Sequence, residues 1–448
     1  MTAVLHLKPE EIDTKEKREK YAVGIIGCGE KGIIYAVAFA EAGFRVICSD
    51  EDKTLVKNLA KGKTMLSDKD MESKLKRFLR KEQLCVIDEV KIAVSRSDII
   101  LLTISANTDG NKQSDYSEVE GMCRQIGRAM NRYSLVIYGG AAGVGFTEGI
   151  IKETLENTSG FKVGDDFGLV YNPIHFADPH PLESIANQEI KIAAMDRVSL
   201  NSGMNVLGTI AKKGVKQILD FKTAEAAMLF SIAKQETNWA LANELAVFCE
   251  GAGLDYFKTL KLVDSQKLNF SPTVEAREDK TNETCFLLES AENLNVKLEL
   301  PALARKINEN MLRHAVNLTN NALHSCGKTL RRSRVGIIAA AKPSAVAFVR
   351  MLEKKGAKVN LYDPLLPKGE YSNLARMLKR SFKETVEGTD CLVIFGNNNQ
   401  FRRLNLKKLQ AVMKKPAAIV DLKGIIDPQR VESKGFAYRG LGRGVQKN

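Results

Sequence analysis

Two stretches of this chain begin in the same way. YAVGIIGCGEKGIIYAVAFAEAGFRVICSDED, over 21–52, reads strand, turn, helix, strand and reaches Asp50. SRVGIIAAAKPSAVAFVRMLEKKGAKVNLYDPLL, over 333–366, repeats the pattern and reaches Asp363. Two parallel neighbours need a crossover connection, so each stretch is a βαβ unit. Buried strands follow each: SDIILLTIS and YSLVIYG in the first half, TDCLVIFGN and AAIVDLKG in the second. The predicted fold class is α/β, with two Rossmann-like, doubly wound parallel-sheet domains joined by a central helical domain.

The boundaries expected from this pattern are an N-terminal extension over 1–20, a Rossmann domain over 21–205, an all-helical middle over 206–330 and a second Rossmann-like domain over 331–448. The middle contains TAEAAMLFSIAKQETNWALANELA, which has no Gly or Pro and opens on Thr223, a residue type that caps helices through its hydroxyl. Its Met228, Ile232, Trp239 and Leu245 are too widely spread for one narrow stripe, which predicts a largely buried helix. A helical block between two sheets also predicts a homodimer formed through the central helices.

At 448 residues the chain is too long for one core, and 44% hydrophobic with 27% charged residues is the balance of an ordinary globular protein. No apolar run reaches the roughly 18 residues that cross a bilayer. The first twenty residues are charged and lack the apolar centre of a signal peptide. A cytoplasmic protein with no membrane partner is expected. Eight scattered cysteines without C-x-x-C pairing read as small buried hydrophobes in a reduced protein. The five histidines do not join them in a zinc pattern, so no metal is expected. The net charge of +13 is spread over helix-like segments with no basic–aromatic motif that reads bases. That leaves a solvated face, or an anionic nucleotide ligand, ahead of nucleic acid.

The glycine pattern supplies such a ligand. GCGEKG at 27–32 is G-x-G-x-x-G placed after a strand and at the start of a helix, the context in which the motif carries weight. Gly27 permits the tight turn, Gly29 lets the backbone approach a pyrophosphate, and Gly32 allows close helix–sheet packing. With Glu30 and Lys31, whose backbone opens the helix, these form the predicted cofactor loop. Asp50 ends the second strand and faces the ribose hydroxyls; its charge repels a 2′-phosphate, so NAD is the expected cofactor. The second unit has AAAKPS instead, and the Cβ atoms of Ala339, Ala340 and Ala341 exclude a pyrophosphate; Lys342 could meet an anion there.

GCGEKG with CSDED, SDIILLTIS, GDDFGLVYNP, NWALANELA, VKLELPALARKINENM and the ending from NNNQFRRLNLKKLQAVMKKPAAIVDLKG to GFAYRGLGRG, in this order, resemble the UDP-glucose/GDP-mannose dehydrogenase family, and within it the branch of the UDP-N-acetylmannosamine dehydrogenases. The resemblance implies a C-terminal domain of the sugar-nucleotide-binding type and a UDP-sugar as partner. It also implies oxidation of a sugar alcohol to a uronate in two hydride transfers. That chemistry uses a cysteine thiolate, a lysine and an asparagine at an oxyanion, and an assisting glutamate and threonine.

Carried over position by position, those groups are absent. The lysine falls at Met228 and the asparagine at Ile232. The E-S-T-V-P-P-G-T-T turn reads GGAAGVGFT, with Gly139 for the glutamate and Ala141 for the threonine. Y-x-P-E-R reads YNPIH, with Ile174 for the assisting glutamate. The cysteine of G-G-x-C falls near Arg277, while Cys285 reads as a core residue. Lys423 stands where D-x-R-N has an arginine. A member of the family that binds NAD without the standard reaction is therefore expected. The alternative is an active oxidoreductase with altered groups, for which His175 and His180 are candidates; an anion- or nucleic-acid-binding module is the third reading.

Overall fold

A computed structural model describes the chain except residues 1–2, 65–68, 110–112, 175–181, 183–184, 186, 264–270, 275–282, 340–342, 364–375, 397–400, 403 and 445–448. The candidates His175, His180, Arg277, Ala340, Ala341 and Lys342 lie outside the described residues. The chain forms two compact units, Met1–Ile232 with Lys280–Lys297, and Ala233–Asp279 with Leu298–Asn448.

The first unit is built on a sheet of β1 (Ala22–Ile26), β2 (Arg45–Ser49), β3 (Leu84–Ile87), β4 (Ile99–Leu102), β5 (Leu135–Tyr138), β6 (Gly168–Tyr171), β7 (Ile190–Ala194) and β8 (Val215–Gln217). Their order is β8-β7-β6-β5-β4-β1-β2-β3, parallel throughout except where β7 runs against β6. β8 adds a strand inside the region expected to be all-helical; three residues are too few to show a period. The apolar runs of the sequence become the centre: all of β1, β4, β5 and β6 are buried, as strands covered on both faces require. Helix α1 (Glu30–Ala42) returns the chain from β1 to β2 and ends on Gly43 in the left-handed region, φ 110°.

Register then decides what meets at the carboxyl edge. Ile26 pairs with Ser49 on one side and with Leu102 on the other, so Gly27, Asp50 and Thr103 follow at the same level. Leu102 pairs with Tyr138 and Tyr138 with Tyr171, which extends the row to Gly139 and Asn172. The strand order reverses beside β1, and this is the place where open α/β sheets bind ligands.

Helix α2 (Phe221–Ala252) contributes its first turns to this unit. It begins before Thr223, and Asp220, not the Thr223 hydroxyl, is the cap: its Oδ1 accepts the Thr223 N–H at 2.7 Å. A carboxylate at a helix N-terminus does the same work and meets the dipole as well. The helix is less buried than its composition suggests. Phe230, Leu241, Leu245 and Phe248 are 61, 46, 43 and 64% exposed. Helix α3 (Glu283–Glu292) also packs in the first unit.

The second unit holds α4 (Glu299–His324) and a parallel sheet of β9 (Arg334–Ile338), β10 (Lys358–Tyr362), β11 (Cys391–Ile394), β12 (Ala418–Asp421) and β13 (Ala437–Gly440), ordered β10-β9-β11-β12-β13. Helix α5 (Pro343–Lys354) makes the crossover from β9 to β10, and α4 packs on α5 and on β11, β12 and β13. A buried polar pair of this unit is Asn243 with Asn308. The Asn243 amide donates to Asn308 at 3.0 Å, Asn308 donates to the Glu236 carbonyl at 2.9 Å, and Asn243 accepts from the Thr273 N–H at 2.8 Å.

Candidate functional site

The glycines of the first βα turn divide their work as their chemistry requires. Gly27 has φ 88°, and a Cβ on it would stand 2.6 Å from Ile104 Cγ1. A Cβ on Gly32 would stand 2.0 Å from the Gly27 carbonyl oxygen, because the first turn of α1 rests on the turn itself. Gly29 precedes α1 as its cap residue, and nothing lies within 4 Å of where its Cβ would be. Open space before unsatisfied helix N–H groups, at the positive end of a dipole, is a place for phosphate. Thr103 at the end of β4 donates to the Gly27 carbonyl at 2.5 Å and fixes the turn from behind.

Asp50 is tied to the same turn. Its Oδ2 accepts the Cys28 N–H at 2.7 Å and its Oδ1 the Asp52 N–H at 2.9 Å. Each oxygen keeps a second lone pair for a hydroxyl donor. Cys28, between the glycines, is no nucleophile: burial pushes its thiol well up, and Sγ lies 3.4 Å from the Ser49 carbonyl. Burial likewise raises the Cys123 thiol, to about 12, and that of Cys391. Seven of the cysteines are buried, including Cys285; Cys85 is exposed, because its side chain on β3, the edge strand, faces outward.

Further along the edge, the candidate catalytic positions are apolar and buried. Met228 and Ile232 share a face of α2, four residues apart, and are 3% and 0% exposed. The Tyr171 hydroxyl lies 3.1 Å from the Met228 sulfur and 3.2 Å from the Gly140 carbonyl. Ile174 is buried against Gly139, where a Cβ would stand 2.3 Å from Ile174 Cδ1. Ala141 is fully buried, and its N–H donates to Ser105 Oγ at 3.0 Å. A cleft of about 810 Å³ opens beside Met228, lined by Tyr35, Asn172, Ile174, Lys191 and Ser231 among others. In it the Tyr35 hydroxyl donates to Asn172 Oδ1 at 2.8 Å.

Two charged groups of this region escaped the sequence reading. Glu225 is buried on the first part of α2, and its carboxylate accepts the N–H groups of Gly145 at 2.5 Å and Thr147 at 2.7 Å. It thereby holds the GGAAGVGFT turn, and burial pushes its carboxyl above the usual range. The signal was the one acid in the apolar first turns of α2, over 221–232. Glu283, the first residue of α3, is the second. Its Oε1 lies 3.5 Å from Lys31 Nζ, and the same ammonium is 3.5 Å from Ser105 Oγ. No local pattern could announce a pair so far apart in sequence.

In the second unit Asp421 Oδ1 accepts the Lys423 N–H at 3.0 Å and Oδ2 the Ile426 N–H at 2.8 Å, so the D-L-K-G segment is an Asx-type turn around a buried carboxylate. Ala339, the described alanine of the second glycine-less turn, is 1% exposed.

Residues 21–204 match the NAD binding domain of the UDP-glucose/GDP-mannose dehydrogenase family, and residues 341–428 match that family's UDP binding domain. The UDP-N-acetyl-D-mannosamine dehydrogenase of Pyrococcus horikoshii is 24% identical over 434 residues, covering 94% of this chain and 99% of that one. The UDP-glucose 6-dehydrogenase of Rhizobium meliloti is 24% identical over 451 residues, covering 94% and 99%. Among solved structures, a UDP-glucose dehydrogenase from Pyrobaculum islandicum superposes with a TM-score of 0.79 at 20% identity, covering 94% of this chain and 98% of that one. That likeness is one of fold.

Proposed function

The chain belongs to the UDP-glucose/GDP-mannose dehydrogenase family, with NAD as its cofactor, and we propose that it holds NAD on the glycine loop without running the family's oxidation of a UDP-sugar to the uronate. The loop assigned to NAD is Gly27, Gly29, Glu30, Lys31 and Gly32 with Asp50. A left-handed Gly27, open space at Gly29 and a Gly32 pressed on the turn support that assignment. The carrying observation for the lost reaction is the pair Met228 and Ile232, which are buried and apolar where the resemblance puts an ammonium and an amide. Neither side chain can donate to an oxyanion, and one donor of that kind contributes roughly 3–4 kcal/mol to such a step. Ala141 and Ile174 offer no proton-transfer group either.

The test is an incubation of the protein with NAD and a panel of UDP- and GDP-sugars, followed by absorbance of NADH. No NADH is expected, while calorimetric titration shows NAD binding; turnover well above background overturns the proposal. The alternative, an oxidoreductase with altered groups, draws support from the open cleft beside Met228 and from the charged pair of Lys31 and Glu283. It would show itself as one NADH for each sugar consumed, where the family's chemistry gives two.

A homodimer is part of the same proposal. Leu241, Leu245 and Phe248 recur on one face of α2, 43–64% exposed, and on α4 Leu300 and Leu303 are 61 and 53% exposed. Apolar faces of this kind favour a second copy of the same helices.

A further inference from the structure

We propose that Lys31 and Glu283 form an exchangeable ion pair that sets NAD affinity: bound dinucleotide takes the Lys31 ammonium away from Glu283. The inference rests on the reading that NAD binds at the glycine loop, and concerns how that site is controlled.

Lys31 is the fifth residue of GCGEKG and the second of α1, so its backbone stands in the first turn, beside the open space at Gly29. Its ammonium is turned toward two partners. It lies 3.5 Å from Glu283 Oε1, with the lysine side chain 24% and the glutamate side chain 8% exposed. The distance to Ser105 Oγ is also 3.5 Å. Both distances exceed the 2.7–3.2 Å of a well-made N–H···O bond, so the ammonium is held by charge more than by directed bonds. A lysine on its flexible four-carbon stem can swing between partners at little cost. A pyrophosphate at the helix N-terminus carries more negative charge than one carboxylate and lies on the same turn as the lysine backbone.

Glu283 is thus a competitor for the cation. It is supplied by α3, which is held to this unit by polar contacts at other points. Glu289 accepts the Ser114 N–H at 2.8 Å, and Ser290 Oγ accepts the Val144 N–H at 3.3 Å. The carboxylate is therefore fixed while the ammonium can move. Its own field also opposes an anion nearby, and the experiment has to separate that from exchange.

The test titrates NAD by calorimetry into wild type, Glu283→Gln, Lys31→Met and the double variant, with melting curves for each. Glu283→Gln, which keeps shape and frees the ammonium, is expected to bind NAD ~3- to ~10-fold more tightly than wild type. In the double variant the gain disappears and affinity falls below wild type. Unchanged or weaker binding by Glu283→Gln overturns the inference, as does a double variant that binds as tightly as Glu283→Gln. A gain of equal size in the Lys31→Met background marks a through-space field and overturns it too. Lys31→Met takes the ammonium from beside a buried carboxylate and risks unfolding; should its melting curve show that, Lys31→Gln replaces it in both the single and the double variant, with the same outcomes. Wild type that binds no NAD sinks the cofactor site and the exchange together; wild type that binds, with an unresponsive Glu283→Gln, sinks the exchange alone.

Discussion

The Tyr171 hydroxyl stands 3.1 Å from the sulfur of Met228, and both side chains are buried. A thioether is a weak acceptor and no donor, so a tyrosine hydroxyl and a methionine complete one another at a point where an ammonium would need a counter-charge. The nearest carboxylate on the same helix, Glu225, is engaged by two backbone N–H groups.

Restoring the family's lysine should therefore fail. Met228→Lys places a cation at a buried position whose neighbours Ile232 and Tyr171 are buried too, with no free carboxylate on the first turns of the helix to meet it. A loss of about 2–4 kcal/mol is expected, seen as a melting temperature lowered by several degrees. No NADH is expected from UDP-sugars. A variant as stable as wild type that produces NADH would show the site to be one residue short of active.

The glycine loop gives a contrast between two substitutions. The Cβ of Gly29→Val meets nothing within 4 Å and the backbone there is extended, so melting should be unchanged, while NAD affinity falls at least ~10-fold because the side chain fills the phosphate's space. Gly32→Ala drives a methyl to 2.0 Å from a backbone oxygen and should lower stability by about 1–3 kcal/mol. Melting curves with and without NAD separate the two effects. A Gly29→Val variant with wild-type affinity would displace the cofactor from this loop.

Glu225 carries a pH dependence whose sign follows from its burial. Its carboxyl is raised above the usual range, so the folded protein binds a proton more readily there than the unfolded chain. Over the window from the ordinary carboxylate value up to the folded one, the folded state holds more protons, and stability falls as pH rises. Glu225→Gln cannot titrate. The stability of wild type minus that of Glu225→Gln should decline as pH is raised through that window and then level off. A difference that grows with pH would mean that the two N–H groups outweigh burial.

The exposed apolar face of α2 should govern assembly. Light scattering should give twice the chain mass for wild type, and a monomer for the Leu245→Glu/Phe248→Glu variant with NAD affinity preserved. A wild-type monomer at micromolar concentration would leave that face without its proposed partner.

Much of the fold could be read from local pattern. The continuous apolar runs at 22–26, 99–102 and 335–338 are strands covered on both faces, and they are buried as such. The helix around Met228 was visible, but its start was not. Asp220 lies outside the run of helix formers, and nothing in a sequence says which of two capping side chains will turn toward the first N–H groups. The exposure of Leu241, Leu245 and Phe248 was equally hidden, since an apolar face reads the same whether its cover is this chain or another. Cys85 faces outward because β3 is an edge strand, a fact of strand order alone.

The sequence by itself determined the parallel architecture, the turn that only glycine permits at Gly27, and the apolar character of positions 174, 228 and 232, because each depends on residue type and spacing along a few turns of chain. Tertiary structure decided what meets at the carboxyl edge: Asp50 on the Cys28 N–H, Tyr171 on Met228, Glu225 on the turn at Gly145, and Glu283 beside Lys31. Those partners are far apart in the chain, and only sheet register and helix packing bring them within reach of charge and hydrogen bond.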